Sequence, residues 1–70
     1  MGINLACIGV NSLLCDLLGV DDSSYRIHES DISRLAQYVE KDLGLDDTFV
    51  YSFIGKTIWE LAQEIVHQSN

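Results

Sequence analysis

Seventy residues with eleven acidic and four basic side chains carry a net charge of −7, which disfavours nucleic acid as a partner, because binding there rests on Lys and Arg neutralising phosphate. The length allows one domain, residues 1–70, with a small core, and a 47% apolar content is enough to fold that domain rather than leave it disordered. The acidic balance favours a protein partner with a basic face, or else serves solubility alone.

Residues 3–20 are the most apolar part of the chain. Ile3, Cys7, Val10, Leu14, Leu17 and Leu18 form one helical stripe, and Leu5, Ile8, Leu13 and Cys15 spread beyond it. Asn4, Asn11, Ser12 and Asp16 interrupt the run, so no membrane segment is expected. Met1-Gly2-Ile3-Asn4 lacks the basic residues of a signal peptide. Ala6 stands where a myristoylation motif has Ser or Thr. The run therefore reads as a soluble core helix ending at Gly19, a C′ glycine. Its apolar surface is wider than a small bundle covers, which predicts contact with another chain through Leu5, Ile8 and Leu13; a homodimer through residues 3–18 would provide it. Cys7 and Cys15 would lie about 12 Å apart along one helix, too far for a disulfide. They read as buried thiols in a reducing cytoplasm.

Asp21 to Ser30 reads as a loop rich in turn formers, with Tyr25 and Ile27 tacking it to the core. A second helix runs from Ile32 to Leu43 and places Ile32, Leu35, Ala36, Val39 and Leu43 on one stripe. Ser30 or Asp31 can cap its start, and Gly44 ends it. Arg34, Gln37, Glu40 and Lys41 face outward. Asp46, Asp47 and Thr48 cap a short helix, Asp47 to Ile54, bearing Phe49, Val50, Phe53 and Ile54, and Gly55 stops it. Thr57 and Glu60 form a capping box for the last helix, Ile58 to His67. That helix offers Ile58, Leu61, Ala62, Ile65 and Val66 to the core. Trp59 falls off the stripe and is either a core-edge residue or a partner contact. The expected fold is all-α, a small four-helix bundle of three main helices and one short one.

The chemistry-bearing residues are sparse. His28 and His67 are isolated and read as surface residues, and no metal-ligand spacing is present. No Ser, His and Asp constellation, carboxylate pair or phosphate loop can be argued. Glu60 and Glu64, four apart, read as a solvated face. An enzyme is not expected.

Leu35-Ala36-Gln37-Tyr38-Val39-Glu40-Lys41-Asp42-Leu43-Gly44 and Ile54-Gly55-Lys56-Thr57-Ile58-Trp59-Glu60-Leu61 resemble the second helix and the entry to the last helix of acyl carrier proteins. Leu17-Leu18-Gly19-Val20 is similar to the end of that family's first helix. The resemblance implies an acyl-carrier-like topology. It also implies a 4′-phosphopantetheine arm on the serine of an Asp-Ser-Leu motif at the start of the second helix. This chain has Glu29-Ser30-Asp31-Ile32 there, with Asp31 in the place of the leucine, and the loop before it is shorter than the family pattern. Ser30 is the candidate attachment site under the resemblance and a helix cap otherwise.

Two functions follow. One is a true carrier of acyl or peptidyl groups, phosphopantetheinylated at Ser30. The other, preferred because the motif is incomplete, is a cytoplasmic binding module without a cofactor. It would dock a basic protein through Asp31, Glu40, Asp42, Asp46, Asp47 and Trp59, or self-associate through the first helix. Such a module could be a regulator or inhibitor carried by a phage or mobile element, acting by protein binding or by imitating nucleic acid.

Overall fold

The computed structural model describes residues 5–69, with the backbone alone for residues 5–7 and 69. Helix α1 spans Leu5–Leu18. Gly19 ends it at φ 70°. The Val20 N–H donates to the Cys15 carbonyl at 2.9 Å and the Gly19 N–H to the Asp16 carbonyl at 3.2 Å. This is a Schellman ending, with glycine supplying the left-handed residue. Leu14 is fully buried, while Val10, Cys15 and Leu18 pack at the edge of the core. Leu17, placed on the core stripe from its spacing, is instead 37% exposed. Cys15 shows the converse. It lies one residue from Leu14, and an α-helix places adjacent residues about 100° apart, so a wide core contact reaches it. Ile3 lies outside the described residues, and the side chains of Leu5 and Cys7 do too.

The second helix is not a uniform α-helix. It opens with a 3-10 turn, Glu29–Asp31, continues as α2, Ile32–Gln37, and closes in a π turn, Tyr38–Asp42. Ile32, Leu35, Ala36 and Val39 are buried, and Leu43 packs at the core edge. A spacing of four from Val39 to Leu43 suits a widened turn as well as an α turn, so periodicity does not separate them. Gly44, at φ 67°, ends the helix. The Leu45 N–H donates to the Val39 carbonyl at 3.1 Å, one residue further back than an α-helix ending would reach.

The expected short helix is a 3-10 helix, Asp47–Phe53. Its cap is Asp46, whose Oδ1 accepts from the Thr48 N–H at 3.0 Å and from the Thr48 hydroxyl at 2.9 Å. Val50 is buried, and Phe49 meets Phe53 edge to face at 6.3 Å between ring centroids.

Helix α3, Ile58–Ser69, carries the core stripe expected of it: Ile58, Leu61, Ala62, Ile65 and Val66 are all buried. A helix start leaves four backbone N–H groups without internal partners. Here all four are satisfied. The Thr57 N–H reaches Glu60 Oε2 at 2.9 Å, and the Glu60 N–H reaches Thr57 Oγ1 at 3.3 Å, closing the capping box. The Ile58 N–H donates to the Tyr25 carbonyl and the Trp59 N–H to the Ser23 carbonyl, both at 3.2 Å.

Those last two bonds fasten the long loop to the start of α3. Arg26 and Thr57 form an isolated antiparallel bridge, flanked by Ile27 N–H to the Lys56 carbonyl at 2.9 Å and Gly55 N–H to the Ile27 carbonyl at 2.8 Å. Ile27 is consequently buried, as its position in the loop predicted. One apolar cluster results, built chiefly where α1 meets α3, with α2 and the 3-10 helix closing its sides. The radius of gyration is 11.0 Å, against about 11 Å for a folded domain of this length. Among the described residues there are four helices and no strand, an all-α bundle.

Candidate protein-docking surface

Of the two residues expected to cap the second helix, Ser30 or Asp31, only Asp31 has a side chain bonded to a backbone N–H at its entry. Ser30 is exposed within the 3-10 turn, and its hydroxyl makes no hydrogen bond to a described residue. The N-cap is His28. Asp31 folds back so that its Oδ2 accepts from the His28 N–H at 3.1 Å and from the Tyr25 hydroxyl at 2.7 Å. Accepting that bond from Tyr25 keeps the phenol protonated and raises its pKa. Tyr25 also packs edge to face on His28, 5.6 Å between centroids. Serine was one of the two expected caps because Ser commonly takes that role. Asp31, at the third position of the turn, satisfies a different donor, the His28 N–H, and holds the Tyr25 hydroxyl as well.

Beside this entry lies an open cleft of about 280 Å³, lined by Glu29, Ile32, Ser33, Tyr51 and Ile54. Residues three apart stack on a 3-10 helix, so Tyr51 and Ile54 form one outward face, 53% and 45% exposed. Ile32, buried, floors the cleft, and the Glu29 carboxylate stands at its rim. Tyr51 did not stand out in the sequence, and Ile54, expected on the short helix with Phe49, Val50 and Phe53, lies instead at its extended C-cap and is exposed.

The acids singled out from sequence divide by what they do. Asp31 is half-buried and engaged with the loop, and Asp46 caps the 3-10 helix while remaining exposed. The Thr48 N–H holds the Asp46 carboxyl below the usual carboxylate range. Asp47 is half-buried at that helix's first position, whereas Glu40 and Asp42 project from the π turn into solvent. Trp59 is half-buried, and its backbone N–H is tied to the Ser23 carbonyl.

On α1, Ile8 and Leu13 are 40% and 52% exposed. Five residues apart on an α-helix, they point about 140° from one another. They therefore do not share one helix face; Leu13 groups instead with Leu17, one turn on. Leu13, Asp16, Asp21 and Asp22 line an acidic concavity at the end of α1. The Ser24 N–H holds the Asp22 carboxyl low, and burial together with Asp22 and Asp21 pushes the neighbouring Cys15 thiol up. Leu17 borders a groove on its other side with Arg34, Tyr38, Lys41 and Asp42. Among the described residues every fully buried side chain is apolar, and no group of His, Cys, Asp or Glu is placed to hold a metal ion. No helix among them is long and apolar enough to cross a membrane.

No family model matches this chain, and no curated protein or solved structure is significantly similar to it.

Proposed function

We propose that the chain is a small, non-enzymatic protein-binding module of the cytoplasm, on an acyl-carrier-like helical bundle, which docks a basic partner beside the entry to its second helix. The cleft between α2 and the 3-10 helix carries this reading. It offers an apolar floor and two half-exposed apolar walls, Tyr51 and Ile54, under an acidic rim. An aliphatic or aromatic side chain of the partner would anchor there, the kind of buried contact that dominates interface energetics. Glu29, Glu40 and Asp42, with the net charge of −7, would steer a cationic surface toward it. The test is capture of partners from the native host by the wild-type chain and by Tyr51→Ser/Ile54→Ser, followed by kinetics with the recovered protein. The double variant should lose the partner while staying folded, and the wild-type on-rate should fall as salt rises. Equal binding by the variant, or an on-rate indifferent to salt, refutes the assignment.

A second reading has one observation in its favour. Ser30 does not cap the helix, so its hydroxyl stands free one residue after Glu29, the position at which the resemblance to acyl carrier proteins, counted back from Gly44, places the phosphopantetheine serine. Asp31, which replaces the family's leucine, is turned inward. Incubating the protein with coenzyme A and a promiscuous phosphopantetheinyl transferase separates the readings by intact mass. A binding module stays unmodified. A mass rise that Ser30→Ala abolishes makes the chain a carrier.

A further inference from the structure

Gly9, Leu13 and Leu17 recur every four residues and so share one stripe of α1. All three are exposed, and nothing lies within 4 Å of where a Cβ on Gly9 would sit. Within one copy this stripe covers no core. The two sides of the stripe carry opposite charge. On one side lies the acidic concavity with Asp16, Asp21 and Asp22. On the other lies the groove with Arg34 and Lys41, two of the chain's four cations, with Asp42 at its edge. Neither cation makes an ion pair with a described residue.

We propose that this face binds a second copy of the chain in a two-fold dimer, with the two α1 helices side by side and parallel. In an isologous interface each copy presents the same patch. A two-fold axis along the stripe sets Leu13 and Leu17 against their own counterparts. It also sets the acidic side of each copy against the basic side of the other, so both ion-pair clusters form. An antiparallel arrangement would oppose acid to acid and is disfavoured by the same charges. Gly9 permits close approach of the two backbones near the start of the helix. The face shares no lining residue with the Tyr51–Ile54 cleft, and the four positions changed below leave Asp42, the one acid also assigned to steering a partner, untouched, so the dimer is tested independently of the proposed partner site.

The experiment is sedimentation equilibrium on the full chain and two charge-reversed variants, Arg34→Glu/Lys41→Glu and Asp16→Lys/Asp21→Lys. All four positions are exposed, and circular dichroism verifies that both variants fold. The wild type should dimerise, more weakly at high salt. Each variant alone should associate at least about tenfold more weakly, since like charges then meet on both sides. An equimolar mixture of the two should recover the dimer, because acid again faces base on both sides. A wild type that remains monomeric at its highest soluble concentration overturns the proposal. So does a dimer that neither variant weakens, or a mixture that stays monomeric.

Discussion

Gly9 and Gly55 offer the same substitution with opposite expected outcomes. At both positions the space a Cβ would occupy is empty to 4 Å, so neither Gly→Ala change meets a steric clash. What differs is the backbone. Gly9 lies inside α1, where glycine costs about 0.5–1 kcal/mol relative to alanine through the freedom it loses on folding. Gly55 sits at φ 85°, after Ile54 at φ −60° and ψ 126°. With the Lys56 N–H bonded to the Phe53 carbonyl at 3.0 Å, these residues form a type II turn, which requires positive φ at its third residue. Alanine there is strained by about 1–2 kcal/mol. The strain falls where the loop is clipped to the rest of the fold, since Gly55 also donates to Ile27 and accepts from Arg26 Nη1 at 2.9 Å. A domain of this length is stable by about 4–10 kcal/mol in total, so the change is easily read. Urea unfolding should be followed at a concentration where the chain is monomeric. Gly55→Ala should lower the midpoint and the melting temperature, the latter by about 4–16 °C, and Gly9→Ala should raise both, with unchanged m-values. Shifts of the same sign, or a Gly55→Ala variant as stable as the wild type, would refute the backbone account.

Leu61 is fully buried, so Leu61→Ala should cost about 2–5 kcal/mol and unfold much of the population, while Ile65→Val should cost only about 0.5–1.5 kcal/mol; both are measurable by the same urea series. Thr57→Ala removes the cap of α3 and should cost about 1 kcal/mol. The Thr57 N–H holds the Glu60 carboxyl below its usual range, so this carboxylate stabilises the fold above its unfolded pKa and loses that contribution as pH falls through the folded one. Stability should therefore decline from about pH 4 downward, and Glu60→Gln should flatten the profile; an identical pH dependence in the variant argues against the capping box. Asp31→Leu breaks the bonds to Tyr25 and His28, and should cost about 1–3 kcal/mol in thermal unfolding.

The stripes of the second and last helices, the three glycine stops and the Thr57–Glu60 box were legible because each is a local rule: periodicity, φ > 0, a fixed spacing of three. Ile27 was legible for a related reason, as a lone aliphatic in a polar loop. The π turn and the 3-10 form of Asp47–Phe53 were not, because hydrophobic spacing over one or two turns fits several helix types. The bridge between Arg26 and Thr57 was not either, since a contact across thirty-one positions leaves no mark on the residues that make it. The proposed docking surfaces show the same division. Leu13 was visible as surplus apolar surface, but the groove that sets Leu17 beside Arg34 and Lys41 depends on how the second helix lies against α1.

Asp31 joins the fold and the functional question at one residue. The connection from Gly19 to His28 is long and polar, with Ile27 its single buried residue. Its second half is held by backbone bonds from Ser23, Tyr25 and Ile27 to Lys56, Gly55, Ile58 and Trp59. Asp31 fastens the same half to the second helix, binding the Tyr25 hydroxyl and the His28 N–H with one carboxylate oxygen. A leucine could make neither bond. Tyr25 would then lose its partner, and the turn carrying Glu29 and Ser30 would lose the bond that closes it. The residue that departs from the carrier pattern is thus the one that positions the Glu29 rim of the Tyr51–Ile54 cleft. A carrier needs an apolar residue after its serine for a modifying enzyme to grip, whereas a docking module needs the cleft rim held in place. Asp31 meets the second requirement at the expense of the first, which is the physical ground for the proposal of a binding module over that of a carrier.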